Sequence, residues 1–130
     1  MPWAHLAVAA ISAGFLSSLT DWFFAGDWLH RRFTYPEVWR TGSEQRAIAL
    51  TIPLPFVTCA AFLLLCAALR LHSLASAAEL AAAIWVIGPL PLILTNAAFM
   101  KLHRVFVVSH AAGWLVKLLI ASVAADWLVR

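Results

Sequence analysis

Residues 74–130 read LASAAELAAAIWVIGPLPLILTNAAFMKLHRVFVVSHAAGWLVKLLIASVAADWLVR, an apolar run with few polar interruptions. As a single α-helix this run would extend roughly 85 Å, whereas a membrane core of about 30 Å needs only about 20 residues. The cluster Lys101-Leu102-His103-Arg104 is the one polar break long enough for a turn. The run therefore predicts two membrane-spanning helices that are joined at this cluster.

Two further apolar segments precede this run, so the sequence predicts an all-α bundle of four transmembrane helices in one domain, residues 1–130. The predicted spans are Trp3 to Gly26, Ala47 to Leu69, Ala77 to Phe99 and Val105 to Leu128. The chain is 64% apolar and 12% charged, whereas a soluble domain is about half apolar and about a quarter charged. Because a soluble fold of this size cannot bury so much apolar surface, a soluble enzyme, a nucleic-acid binder and a disordered tail are excluded.

The distribution of lysine and arginine predicts the orientation of the spans. The loops after spans one and three hold six of the nine basic residues: Arg31, Arg32, Arg40, Arg46, Lys101 and Arg104. Since basic loops stay on the cytoplasmic side, both termini are expected to face outward. Anionic lipid headgroups are the expected partners of these loops, and no nucleic acid is needed to account for the net charge of +3. No Lys or Arg precedes Arg31, so a cleaved signal peptide, which needs a basic first segment, is not expected.

The loop after span one mixes aromatic and basic side chains, a composition that suits the headgroup layer. Pro36 is placed to open a short helix and Gly42 to close it. We therefore predict a short interfacial helix in this loop. A lid over a substrate would have the same composition and stays an open alternative.

Two patterns within the spans bear on helix packing. Ala10, Gly14 and Ser18 recur every four residues in span one, which favours close approach of a second helix. This face, together with the small volume that four short helices enclose, predicts a homodimer or higher homo-oligomer. Gly88, Pro89 and Pro91 lie near the middle of span three, where proline removes backbone donors and crowds the preceding turn. We expect a packing kink there, or a broken helix that lines a binding cavity as in transporters.

Four polar side chains lie within the spans although such groups are costly in lipid and are associated with function. They are Asp21, Asn96, His110 and Lys117, and we predict that they form a polar intramembrane site near the inner surface. Lys117 lies near the midplane, and His103, His110 and Lys117 share one helix face through their seven-residue spacing. Asp21 is the expected partner of Lys117. Two interpretations stay open, a structural ion pair that fixes helix register and a water-accessible site.

Asp126 lies in the last turn of span four, where it reaches water, and we assign it no role. Cofactor chemistry finds little support in the sequence. A b-type haem needs two facing axial ligands, and we expect none opposite His110 because His30 is predicted to be interfacial. The phosphate-loop, His-Glu-x-x-His and Gly-x-Ser-x-Gly motifs are absent from the sequence, so no metal, nucleophile or cofactor is predicted. Cys59 and Cys66 lie about 10.5 Å apart along one helix, beyond disulfide reach, and are interpreted as small buried residues.

Two segments carry a resemblance to a known family. The first is a small-residue helix from Ala9 to Trp28 that contains Asp21-Trp22-Phe23-Phe24-Ala25-Gly26; the second is Asn96-Ala97-Ala98-Phe99, the turn from Lys101 to Arg104, and the stretch from His110 to Trp114. They resemble a family of small four-helix bacterial membrane proteins, known as a domain of unknown function. Asp21 departs from that pattern, which has an aromatic or small residue at this position. The resemblance implies four helices and a turn at Lys101, and it implies no reaction.

Taken together, these patterns predict a multi-pass protein of a bacterial inner membrane that acts as a binding or structural membrane module. The alternative is a small transporter coupled to protons or a solute, in which His110 and Asp21 exchange protons and the break at Pro89 gives access. A membrane-embedded enzyme that acts on a lipid or a quinone is a third possibility.

Overall fold

The computed structural model describes residues 3–35, 37–38, 42 and 44–129, and its secondary structure there is entirely helical. In chain order the helices are α1 (Trp3–Ala25), α2 (Asp27–Phe33), α3 (Glu44–Thr51), α4 (Leu54–Ala68), α5 (Leu74–Ile87), α6 (Pro89–Phe99) and α7 (Arg104–Val129). The predicted all-α class is confirmed.

Four helical stretches in the described part of the chain are long and apolar enough to cross a membrane. They are Trp3–Phe33, Gln45–Ala68, Leu74–Phe99 and Arg104–Leu128, and their number equals that of the predicted spans. The first stretch continues past its predicted end at Gly26 because α2 follows α1 after a bend at that residue. A Cβ atom on Gly26 would collide with the carbonyl oxygen of Trp22, which explains why the bend falls on a glycine.

The prolines interrupt two of these stretches, as expected for residues that lack a backbone donor. α3 ends before Pro53, and α5 is separated from α6 at Gly88. The backbone is bonded across Gly88, whose N–H donates to Ile84 O at 3.0 Å and whose carbonyl accepts from Leu92 N at 3.2 Å. The predicted break in span three is therefore a kink at Gly88, and backbone hydrogen bonds connect α5 to α6 across it.

The predicted interfacial helix from Pro36 to Gly42 falls mainly on residues outside the described ranges, Pro36 among them. Within the described part, Glu37 and Val38 form a turn, in which Val38 N donates to Tyr35 O at 3.0 Å. Gly42 has a φ of 78°, a left-handed conformation that glycine adopts readily. The interfacial helix remains a prediction.

α7 is the centre of the bundle, because α1, α4, α5 and α6 all pack against it. Small side chains dominate the core, and Ala9, Ala13, Cys59, Ala81 and Ala121 are among its most buried members. α6 packs against α5 and α7, and none of its residues is buried. We call the end of the bundle that holds α2 and the turn between α6 and α7 (residues 100–103) the basic end.

The small-residue face of α1 is used within the chain. A Cβ atom on Gly14 would overlap the Phe56 ring and lie 2.9 Å from the Phe56 Cα, so α1 and α4 are in close contact there. Ala10 packs against the same core, while Ser18 Oγ is buried without a hydrogen-bond partner among the described residues. Self-association stays a prediction, but Gly14 is already covered by Phe56.

Candidate functional site: a buried ion pair beside a polar cavity

Lys117 and Asp21 form an ion pair between α7 and α1. The distance from Lys117 Nζ to Asp21 Oδ2 is 2.7 Å, and the Lys117 side chain is only 7% exposed. Asp21 is 28% exposed, so the acid is the more accessible partner. The lysine ammonium also lies 4.4 Å from the centre of the Trp114 ring, a cation–π distance. The buried Lys117 ammonium therefore has both a negatively charged partner and an aromatic ring beside it.

Close contacts between α1 and α7 hold the ion pair in place. A Cβ atom on Gly113 would lie 2.8 Å from the Phe24 Cβ, so only a glycine lets the helices approach this closely. Ser109 Oγ donates to the Phe24 carbonyl oxygen at 2.6 Å and joins the same two helices. One turn from Asp21, Ser17 Oγ and Cys59 Sγ are 3.3 Å apart and link α1 to α4.

Towards the basic end, a cluster of histidine and phenylalanine rings lies between α2 and α7. His110 stacks on Phe106 with ring centres 4.1 Å apart, and the His30 ring stands edge-on to both, at 5.4 Å and 5.1 Å. His30 Nδ1 lies 2.9 Å from Gly26 O. Because a carbonyl oxygen only accepts, Nδ1 of His30 carries the proton of this hydrogen bond.

The expectation that no histidine faces His110 from another span is wrong. The sequence reasoning ended the first span at Gly26, whereas α2 continues it and places His30 against His110. The two imidazole rings are in direct edge-to-face contact, at an interplanar angle of 89°. A haem does not fit between rings at this separation, so the pair is not arranged as axial ligands.

A cavity of about 250 Å³ opens beside this cluster, between α2, α6 and α7. Its described polar lining consists of His30, Thr34 and Asn96, and its apolar lining includes Phe106 and Met100. Thr34 Oγ1 is buried and has no hydrogen-bond partner among the described residues. The same holds for Nε2 of His110, which lies behind Phe106.

The structure thus divides the four predicted site residues into two groups. Asp21 and Lys117 form the ion pair, whereas Asn96 is exposed on α6 and lines the cavity at the basic end. His110 belongs to the ring cluster next to that cavity. No hydrogen bond joins Asn96 to Asp21 or Lys117 in the described part of the chain.

Sequence reasoning missed His30 and Thr34 as cavity residues. The signal was present, since Leu29 and Phe33 are placed at i and i+4 and continue a helical apolar pattern beyond Gly26. It also missed the role of Asp126, whose Oδ1 accepts from Leu74 N at 3.0 Å and so satisfies a free backbone donor at the start of α5.

Within the described ranges, no three His, Cys, Asp or Glu side chains are grouped so that they could hold a metal ion. Cys59 and Cys66 are free thiols and both are buried. Searches of protein-family profiles, curated proteins and solved structures returned no match to this chain.

Proposed function

We propose that the protein is a membrane-embedded binding module of a bacterial inner membrane, with its polar site at the basic end and both termini outward. The observation that carries this proposal is the cavity between α2, α6 and α7, with His30, Thr34 and Asn96 in its wall. Resemblance to the small four-helix bacterial family is part of the same proposal, and so is the assignment of the basic end to the cytoplasmic side.

The ion pair and the cavity support different roles. Lys117 has both a carboxylate and an aromatic face, so the pair needs no ligand and acts to hold α7 against α1. The cavity wall has an unused hydrogen-bonding group, because the buried Thr34 Oγ1 lacks a partner among the described residues. Since buried polar atoms are normally hydrogen-bonded, this wall is suited to a bound polar group.

Lipid headgroups are the second proposed partner at the basic end. Arg32, Lys101 and Arg104 are exposed there, and each basic side chain near an anionic surface contributes about 1 kcal/mol. Homo-oligomerisation is also proposed, through a surface other than the Gly14 contact with Phe56.

A cysteine-labelling experiment tests the site and the orientation together. Asn96→Cys is expected to react with a membrane-impermeant maleimide from the cytoplasmic side of the membrane and not from the other side. His72→Cys, in the exposed turn at the opposite end, is the matched control and is expected to react only from the outside. The wild-type chain supplies the background, since Cys59 and Cys66 are buried.

Two outcomes of this experiment contradict the proposal. If Asn96→Cys is unreactive from both sides while His72→Cys reacts, the cavity wall is closed to water and the site is not open. If the two variants react from the reverse sides, the orientation is wrong.

A transporter coupled to protons or a solute is the second candidate, and the kink at Gly88 favours it. α6 follows the kink and has no buried residue, so it can move with little loss of packing. Liposomes that contain the protein and a pH-sensitive dye test this candidate under an imposed proton or solute gradient. Internal pH that is unaffected by the wild-type protein, and equally so by Asp21→Asn, would eliminate it.

A further inference from the structure

The cavity at the basic end has a size that limits its occupant. Its volume is about 250 Å³. Pockets for drug-sized ligands are larger, from about 300 Å³ upward. A single substituted ring therefore fits this space.

The polar part of the lining contains groups that donate hydrogen bonds and groups that accept them. No Asp, Glu, Lys or Arg is among the described lining residues. The Asn96 amide offers two donors and one acceptor, and the Thr34 hydroxyl offers both functions. Such a wall can pair with a carbonyl oxygen or with a hydroxyl group, whereas a phosphate would call for lysine or arginine.

The rest of the lining is apolar and includes an aromatic ring. Phe106 lies in the wall with Met100 and Leu102, and aromatic faces and edges favour a planar ring as a neighbour. The occupant therefore combines a flat apolar ring with neutral oxygen atoms at its edge.

The position of the cavity connects it with the bilayer. α2 and α6 both pack against α7 and are separated from each other by the cavity. The outer surface of α6 is apolar, with Leu92 63% and Phe99 88% exposed. A hydrocarbon tail attached to the bound ring would lie along this surface among the lipid chains.

We infer that the cavity binds the head ring of an isoprenoid quinone or quinol, with Asn96 and Thr34 bonded to its ring oxygens and Phe106 against its plane. This inference rests on the proposed binding function and names its ligand class. It concerns binding alone, and no electron transfer is assigned. The amphoteric polar wall accepts both the oxidised and the reduced ring.

Calorimetric titration of the detergent-purified protein with ubiquinone-1, a quinone ring with one isoprenoid unit, tests this inference. One ring per chain is expected to bind. Asn96→Leu and Thr34→Val are each expected to weaken binding roughly two- to tenfold, the loss of one hydrogen bond. His72→Leu and Thr58→Val are the matched controls, since both residues lie outside the described lining, and they are expected to bind as the wild type does.

Three results would overturn the inference. Binding that does not saturate indicates that ubiquinone-1 partitions into the micelle. The same conclusion follows if the control substitutions weaken binding as much as the cavity substitutions do. Equal competition by geraniol, which has an isoprenoid tail and no ring, shows that the tail alone is recognised. Competition by phosphatidylglycerol at the same concentration shows that the site takes a phospholipid headgroup.

The proposal of an open binding site and the proposal of a quinone as its ligand can be refuted separately. Maleimide labelling of Asn96→Cys from the cytoplasmic side without saturable binding of ubiquinone-1 refutes the quinone and leaves an open binding site. Absence of labelling refutes the open site itself.

Discussion

Replacing Asp21 with asparagine leaves the Lys117 ammonium buried without its counter-charge. Removing one partner of a buried pair costs about 3–5 kcal/mol. Asp21 is 28% exposed, and Trp114 still faces the ammonium at 4.4 Å after the change. Since an aromatic face contributes about 0.5–2 kcal/mol to a nearby cation, the expected loss for Asp21→Asn is about 2–4 kcal/mol of unfolding free energy.

The reverse change is expected to cost less. Lys117→Met removes the buried charge and leaves the more accessible Asp21 behind, so the expected loss is about 1–2 kcal/mol, below the 3–5 kcal/mol of a fully buried pair. The double variant Asp21→Asn/Lys117→Met has no unpaired charge. It is therefore expected to be more stable than Asp21→Asn alone, and its total loss falls below the sum of the two single losses.

Unfolding by SDS in mixed micelles, followed by tryptophan fluorescence, measures these differences. Asp27→Asn is the matched control, because it breaks the ion pair from Asp27 to Arg31 (2.6 Å), whose side chains are 38% and 69% exposed. Exposed pairs contribute about 0–1 kcal/mol, so this variant is expected to lose less than about 1 kcal/mol.

A loss of stability in Asp21→Asn no larger than that in Asp27→Asn would contradict this prediction. The prediction is equally refuted if the losses of the two single variants simply add in the double variant. Either result would mean that water reaches Lys117 and that the charge is not held by Asp21.

Three further substitutions test the packing and the helix ends. Gly14→Ala is expected to destabilise the protein by about 1–3 kcal/mol, the typical cost of overpacking, because the new methyl group overlaps Phe56; a smaller loss in SDS unfolding would show that α1 and α4 separate easily. Asp126→Ala is expected to cost about 1 kcal/mol, as for other lost helix caps, and to speed amide exchange at Leu74, whose N–H then lacks its acceptor; unchanged exchange argues against that bond. Arg70→Gly is expected to gain about 1 kcal/mol, because Arg70 has a φ of 53°; a lower midpoint of thermal unfolding would contradict this.

The number of helices long and apolar enough to span a membrane was predictable because it depends on length and polarity alone. A lipid core imposes a minimum of about 20 apolar residues per helix, and the cluster from Lys101 to Arg104 is the only turn that divides the long run. The end of the first span was misplaced for a physical reason. Gly26 bends the first span but does not end it. Its carbonyl oxygen accepts from Leu29 N at 3.0 Å, and α2 begins directly after it.

The candidate site was predictable only in part. Depth along a helix follows from the sequence, so Asp21 was proposed as a partner for Lys117, and the two are in contact. Which helices are neighbours does not follow from depth. α6 lies at the edge of the bundle, and Asn96 therefore faces the cavity with Thr34 rather than the ion pair.

The ion pair of Asp21 and Lys117 and the cavity at Asn96 lie in different parts of the bundle, so one part can be tightly packed while the other is open. The ion pair lies on α1 and α7, which are in close contact at Gly113. The cavity lies against α6, which contributes no buried residue to the core. A ligand at Asn96 therefore meets a part of the fold with few packing restraints, while the buried charge of Lys117 lies where α1 and α7 are in close contact. Substitutions at Asn96 are accordingly expected to alter binding without altering stability, and substitutions at Lys117 to do the opposite.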